Sequence, residues 1–359
     1  MAKYRTGILD RIFGVIWPIA VMAFAAVLCL EAASLVAVAP EVVREISGET
    51  DTLFLIIPFP TRVVDVGGDA PAYLFVFFAG AILASLAWLL RDWRKIGQGF
   101  HEALNDKVAI PEKSQAGLSF QLFCVMMLGS VGWYVILSIA GITAATPAFD
   151  EMDRWELAYV FAKASVYEEL ITRVLYVGLP MAAIALYQKR AGWWKLFVGG
   201  KGDLEASDWA LIAASGAIFA LAHAPGWDLW KVPPTVISGV AFGYLFAKKG
   251  LAASIVVHFA IDYTSMPLEV FGLSTLDLLL TLFLLASVFL GLYYAARYAM
   301  EASESLGAGK TGAAPPPPPG PFIAAHDARF VCMACGNYEA TYADGALKCT
   351  RCGQEYKYL

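Results

Sequence analysis

The stretch "VYEELITRVLYVGL" runs from Val166 to Leu179 and sets Glu168, Glu169 and Arg173 inside a run otherwise apolar enough to cross a bilayer. Each such charge costs roughly 2.5–3.5 kcal/mol at the centre of a span on insertion scales. On a regular α-helix Glu169 and Arg173 are i and i+4, on one face and in the favourable acid-before-base order, so each can neutralise the other. Glu168 points about 100° away, and Ile171 and Thr172 at i+3 and i+4 offer it no charge. Lys163 reaches it only from five residues back, a poor angle on an α-helix. Glu168 must therefore find its partners on other helices.

Composition makes the membrane reading general. Of 359 residues, 59% are hydrophobic and only 16% charged, with a mean hydropathy of +0.61, where a soluble domain carries about 25% charged residues. Eight stretches read as spans: Ile12 to Val38, Ala72 to Leu90, Leu118 to Ala144, Leu157 to Tyr187, Trp209 to Ala224, Val232 to Ala247, Leu251 to Pro267 and Leu276 to Tyr298. The fifth to seventh are short. "AVAP" after the first resembles a signal cleavage site, but that apolar run is too long for a signal h-region, so it reads as an anchor. Pro180 is a candidate break in the fourth.

Basic residues orient the bundle. With a cytosolic N-terminus, the cytosolic connections hold Lys3, Arg5, Arg11, Arg91, Arg94, Lys95, Lys107, Lys113, Lys189, Arg190, Lys195, Lys201, Lys248 and Lys249. The opposite side holds Arg44, Arg62, Arg154 and Lys231. Fourteen against four follows the positive-inside rule and, with eight spans, returns the C-terminus to the cytosol.

Beyond residue 300 the chain changes character. Residues 301–329, with "APPPPPGP", read as a semi-rigid disordered linker. Its "GAGKT" lacks the first glycine of a phosphate loop, because Glu304 stands there, and no strand precedes it. Residues 330–359 carry Cys332, Cys335, Cys349 and Cys352 as CxxC…CxxC, each pair followed by Gly. Four thiolates at this spacing suit tetrahedral zinc, and a piece this small needs metal to fold. Disulfides or a redox pair are the alternatives; a cytosolic tail argues against disulfides. The ribbon could contact a cytosolic protein, nucleic acid or the membrane domain itself. Cys29 and Cys124 read as packing residues.

Two further spans carry histidine. In "IFALAHAPG" His223 follows Phe219 by four residues; in "VVHFAIDY" His258 and Asp262 are again i and i+4. A buried imidazole costs several kcal/mol without a partner, and intramembrane ionisable groups face a shared interior. No GxSxG, HExxH or glycine-rich phosphate loop is present. A carboxylate beside an imidazole can hold and deprotonate a water, and a second imidazole can donate to a developing oxyanion, which points to amide hydrolysis. The competing arrangement makes Glu168, His223 and His258 zinc ligands that activate the same water.

Taken together, EExxxR (Glu168, Glu169, Arg173), FxxxH (Phe219, His223) and HxxxD (His258, Asp262) resemble the CAAX protease and bacteriocin-processing family, which includes the type II CAAX prenyl endopeptidases. The resemblance covers about Trp155 to Pro267. It implies an all-helical bundle of about eight spans around a water-accessible cavity, and an intramembrane glutamic protease of a kind formerly classed as a metalloprotease. By position it implies Glu168 as general base, His223 holding the water, Glu169 and Arg173 as a supporting pair with Phe219, and His258 with residue 262 stabilising the oxyanion. That last position is often Asn in the family; Asp262, when ionised, would instead orient His258.

The expectation is thus an all-α polytopic membrane protein, with a protease-like domain over 1–300, a linker and a zinc ribbon. Structural zinc is expected in the ribbon and no cofactor in the membrane site. Expected partners are membrane lipid, a hydrophobic or lipidated peptide or protein substrate, and a cytosolic protein at the ribbon; nucleic acid is not expected. It would be a multi-pass protein, of the cell membrane if prokaryotic, with both termini cytosolic. A non-catalytic adaptor and a proton-coupled transporter are the other readings; a transporter would show internal repeats with paired broken helices, and no convincing repeat is found.

Overall fold

The computed structural model describes residues 8–91, 114–144, 146–310 and, in the tail, 323–324, 340–343, 346–352 and 354–357. The chain divides into two units, 1–296 and 297–359. The first is mainly helical, holding α1 (Ile8–Ile46), α2 (Ala70–Leu90), α3 (Gln115–Ile139), α4 (Arg154–Lys163), α5 (Leu179–Tyr187), α6 (Ala206–Trp227), α7 (Val232–Lys249), α8 (Leu251–Asp262), α9 (Met266–Phe271) and the larger part of α10 (Ser274–Lys310).

Seven of the described helical stretches are long and apolar enough to span a membrane. They include one continuous stretch over Arg154–Tyr187 and one over Leu251–Phe271. The expected sixth span, Val232 to Ala247, is a helix but not one of the seven: α7 packs lengthwise on α6 within the bundle. The two backbones meet at Gly216 and Gly239, where a Cβ on Gly239 would stand 2.8 Å from the Gly216 Cα. Close contact of this kind lets a less apolar helix be sheltered by its neighbours rather than by lipid. Phe24 of α1 packs on Phe120 and Phe123 of α3 and on Phe283 of α10, tying the first and last helices into one core. The start of α6 is fixed by a capping box, with Asp208 accepting the Glu205 N–H at 2.7 Å and pairing with Lys201 at 2.7 Å. Arg190 and Lys201 hold the exposed Glu205 carboxyl below the usual carboxylate range.

The fourth span departs from the regular helix assumed above. Between α4 and α5 the backbone is π-helical over Ala164–Glu168 and Leu170–Gly178. A π-turn closes i→i+5 and so turns fewer degrees per residue than an α-turn, and such segments concentrate at functional sites. Pro180 does not break the span. It lies in the first turn of α5, where the widened helix returns to α-helix and a missing N–H is tolerated.

The connection between α1 and α2 is a β-hairpin rather than an open loop: β1 (Asp51–Ile57) pairs with β2 (Phe59–Val66), antiparallel and with a register shift at Leu53/Phe54. Its "DTLFLII" and "FPTRVVDV" carry strand-forming residues between turn signals. The outer carbonyls of β1 are taken by the fourth span. Lys163 donates to Thr52 O at 3.0 Å, Tyr167 to Phe54 O at 2.7 Å, and Tyr176 to Ile56 O. Tyr167 and Tyr176 are nine residues apart, two and a half turns of α-helix, which would put them on opposite faces. The π-helical widening brings both to one strand. The residue that sequence left unassigned, Lys163, is the anchor: its Nζ lies 2.5 Å from Asp51, whose other oxygen accepts from Tyr159 at 2.7 Å. Both charges are largely buried. Lys163→Met is expected to loosen the hairpin by about 1–3 kcal/mol, since Asp51 then loses its charged partner; faster limited proteolysis between residues 51 and 66 checks this.

The second unit is described only in part. Its four short strands, β3 (Ile323–Ala324), β4 (Ala340–Ala343), β5 (Ala346–Cys349) and β6 (Glu355–Lys357), form one antiparallel sheet in that order.

Candidate active site

The site is assembled from the π-helical segment, α6 and α8. Glu168 lies at the end of the first π segment, partly exposed, and lines a cavity of about 450 Å³ together with His223. Its Oε2 lies 3.9 Å from His223 Nε2 and 3.9 Å from His258 Nε2, and has no hydrogen-bond partner among the described residues. The acid expected to look to other helices thus faces two imidazoles from two of them.

The orientation of each ring follows from its other nitrogen. His223 Nδ1 lies 2.8 Å from the Phe219 carbonyl, which can only accept, so Nδ1 carries a proton and, in the neutral ring, the Nε2 lone pair is turned towards Glu168. His258 Nδ1 lies 3.0 Å from Glu169 Oε1, while its Nε2 faces Asp262 Oδ2 at 3.3 Å as well as Glu168. A bond from the His258 Nδ1–H to Glu169 was not anticipated; sequence pairs Glu169 with Arg173 alone. Both pairings are made. Arg173 Nε lies 3.2 Å from Glu169 Oε2, and Ser254 of α8 donates to the same oxygen. Arg173 also donates to Ser215 at 2.6 Å, and Ser215 to the Thr172 carbonyl at 2.6 Å. Glu169 and Arg173 are fully buried, and the ion pair is supported by further hydrogen bonds on both partners, with Arg173 Nη2 left without one among the described residues.

Aromatic rings fix this cluster in place. Phe219 meets the His223 ring edge-on at 4.7 Å and lies 5.0 Å below the Arg173 guanidinium. Phe242 of α7 stacks on His258 at 4.7 Å. Phe219 was expected in a supporting role by its FxxxH position; Phe242, Ser215 and Ser254 were not singled out, and nothing in the local pattern separates them from ordinary core residues.

Counting along the spans sets Glu168 and His258 at different depths, yet they meet. The span over Arg154–Tyr187 has 34 residues, too many for a hydrocarbon core about 30 Å thick, whereas the stretch Leu251–Phe271 has 21. Spans of such unequal length need not share end heights, so depth counted from the ends misleads.

Two other charged groups complete the surroundings. Glu31 of α1 is fully buried, neither of its oxygens has a hydrogen-bond partner among the described residues, and it interacts electrostatically with Asp262. It is the only acid in the apolar run Ile12 to Val38, a signal by which sequence could have found it. Lys231, in the short turn before α7, lies 3.8 Å over the Trp227 ring. Burial holds its ammonium below the ordinary lysine range, while Asp262 and Glu168 act in the opposite sense.

Among the described residues no three His, Cys, Asp or Glu side chains converge with metal-ligand geometry. In the tail, Cys349 and Cys352 stand at the turn between β5 and β6, where the Cys349 N–H donates to Gln354 O at 2.9 Å. Cys332 and Cys335 lie outside the described residues.

The fold and site define a multi-pass helical membrane protein with a buried carboxylate–imidazole cluster. Residues 151–264 match the family model of the type II CAAX prenyl endopeptidase Rce1-like proteins, a segment that contains all seven predicted membrane-site residues. No curated protein and no solved structure matches the chain.

Proposed function

We propose that the protein is an intramembrane peptidase that cuts a hydrophobic or lipidated peptide with a water activated by Glu168. The observation that carries this reading is the equal 3.9 Å separation of Glu168 Oε2 from two imidazole Nε2 atoms. That gap is too long for direct hydrogen bonds, yet it is a span that a water about 2.8 Å from Glu168 and from His223 would bridge. Glu168 takes a proton from this water, whose second hydrogen is held by the His223 Nε2 lone pair. The resulting hydroxide attacks the scissile carbonyl, and His258, donating from Nε2, stabilises the oxyanion. Glu168 then returns its proton to the leaving amine. Glu169 holds His258 from Nδ1, and Asp262 faces the Nε2–H until that hydrogen turns to the developing oxyanion, which gives Asp262 a use that does not require it to donate.

The match to a peptidase family supports the class; prenylated and plain substrates are separated by assay. Purified protein is expected to cleave a peptide of one or both kinds, and to do so equally with and without a chelator. A parallel form lacking residues 330–359 keeps loss of tail metal from being mistaken for loss of a membrane metal. Chelator-sensitive cleavage in both forms would favour the metal-dependent alternative. In the tail, Cys349 and Cys352 fit one half of a tetrahedral all-thiolate zinc site, with Cys332 and Cys335 as the other half; zinc would supply the folding free energy that so small a sheet lacks. A non-catalytic adaptor that docks a cytosolic protein through the tail has no use for an unpaired Glu168.

A further inference from the structure

The lining of the cavity and the charges of the chain together point to the face from which it is reached. One wall is the hairpin, through Asp51, Phe54 and Ile56; another is the beginning of the fourth span, through Tyr159 and Lys163; a third is the end of α6, through Trp227. In chain order these parts follow the first span, open the fourth and close the fifth. With alternating crossings all three fall at one face of the bundle. That face holds Arg44, Arg62, Arg154, Lys163 and Lys231, against twelve Lys and Arg in the segments before α6 that fall at the other. None of the described residues of the Lys/Arg-rich connections lines the cavity.

We infer that the Glu168–His223 cavity is reached from the extracytoplasmic face, with the β1–β2 hairpin as its entrance wall, and that its substrate is an apolar segment of an exported or outer-leaflet polypeptide rather than of a cytosolic protein. The choice of substrate rests on the peptidase reading; the choice of face does not. The hairpin is suited to the task on two counts. Its backbone is strapped to the catalytic span by Lys163, Tyr167 and Tyr176, so the wall and Glu168 keep a fixed distance. It also shows apolar side chains outward, with Ile57 61% and Val63 63% exposed, next to a cavity whose wall continues in Phe54 and Ile56. Apolar side chains at the mouth of the cavity suit contact with an apolar segment.

The face is read by cysteine labelling of the full-length protein in cells, with the unsubstituted protein as background. Glu49→Cys, in the exposed turn before β1, is expected to react with a membrane-impermeant maleimide in intact cells. Gln188→Cys, after the fourth span, is expected to react only once the membrane is permeabilised. The reverse pattern overturns the inference. In proteoliposomes of fixed orientation, an apolar peptide should be cut when added on the Glu49 side and not when confined to the Gln188 side. Cleavage from the Gln188 side alone, or from neither side, overturns the substrate assignment. Cleavage undiminished in Glu168→Gln overturns Glu168 as the base in the peptidase reading while leaving the labelling result intact, so the two failures are distinguishable.

Discussion

Glu168→Gln is expected to lower the rate of peptide cleavage by about 10³–10⁴-fold while leaving the folded protein intact. The amide keeps the shape of the carboxylate but cannot take a proton from water, and removal of a general base costs roughly this much. Stability should hardly change. Glu168 is 28% exposed, it makes no ion pair closer than 3.9 Å, and its Oε2 has no hydrogen-bond partner among the described residues. A residue so placed contributes little to the fold, which is why a large kinetic effect with an unchanged melting temperature would be diagnostic. The measurement is cleavage by purified protein in detergent, beside a thermal melt of the same sample. Undiminished cleavage by Glu168→Gln would end the case for Glu168 as the base.

What can be read from sequence is set by what periodicity encodes. The apolar runs that make the spans are visible, as is the i,i+4 pairing of His258 with Asp262, which α-helical geometry fixes, and that of Glu169 with Arg173, which survives the π-helical widening. The π-helical segment is invisible. Its residues are as apolar as those of an α-helix, and the change from i→i+4 to i→i+5 bonding leaves no compositional trace. With it are lost the common alignment of Tyr167 and Tyr176 and the partner of Lys163. The hairpin is hidden because it falls in an interval between two apolar runs long enough to span, where the short strand signal of "FLIIPFPTRVV" is outweighed by the runs on either side. Long-range contacts such as Ser254 with Glu169, or Phe242 with His258, depend on which helices meet, and single-chain periodicity does not contain that.

The second large effect is on stability, and it separates the architecture of the ion pair from its chemical use. Arg173→Leu leaves the fully buried Glu169 carboxylate with His258 and Ser254 but without its strongest counter-charge. Breaking a buried pair by removing one partner costs about 3–5 kcal/mol, which for a marginally stable protein is a large share of the total. Arg173→Leu is therefore expected to melt far below the unsubstituted protein or to fail to accumulate. Replacing both partners, Glu169→Leu with Arg173→Leu, should recover much of that loss, because apolar groups of similar volume often match a buried ion pair in stability. Activity should not recover with it. In the double variant His258 Nδ1 loses its acceptor, so the ring is no longer held with Nε2 towards Glu168 and the reacting carbonyl. Thermal melts and cleavage rates on the same samples decide the matter: a double variant that regains both stability and activity would show Glu169 to be ballast for Arg173, whereas stability without activity would show that it positions the imidazole.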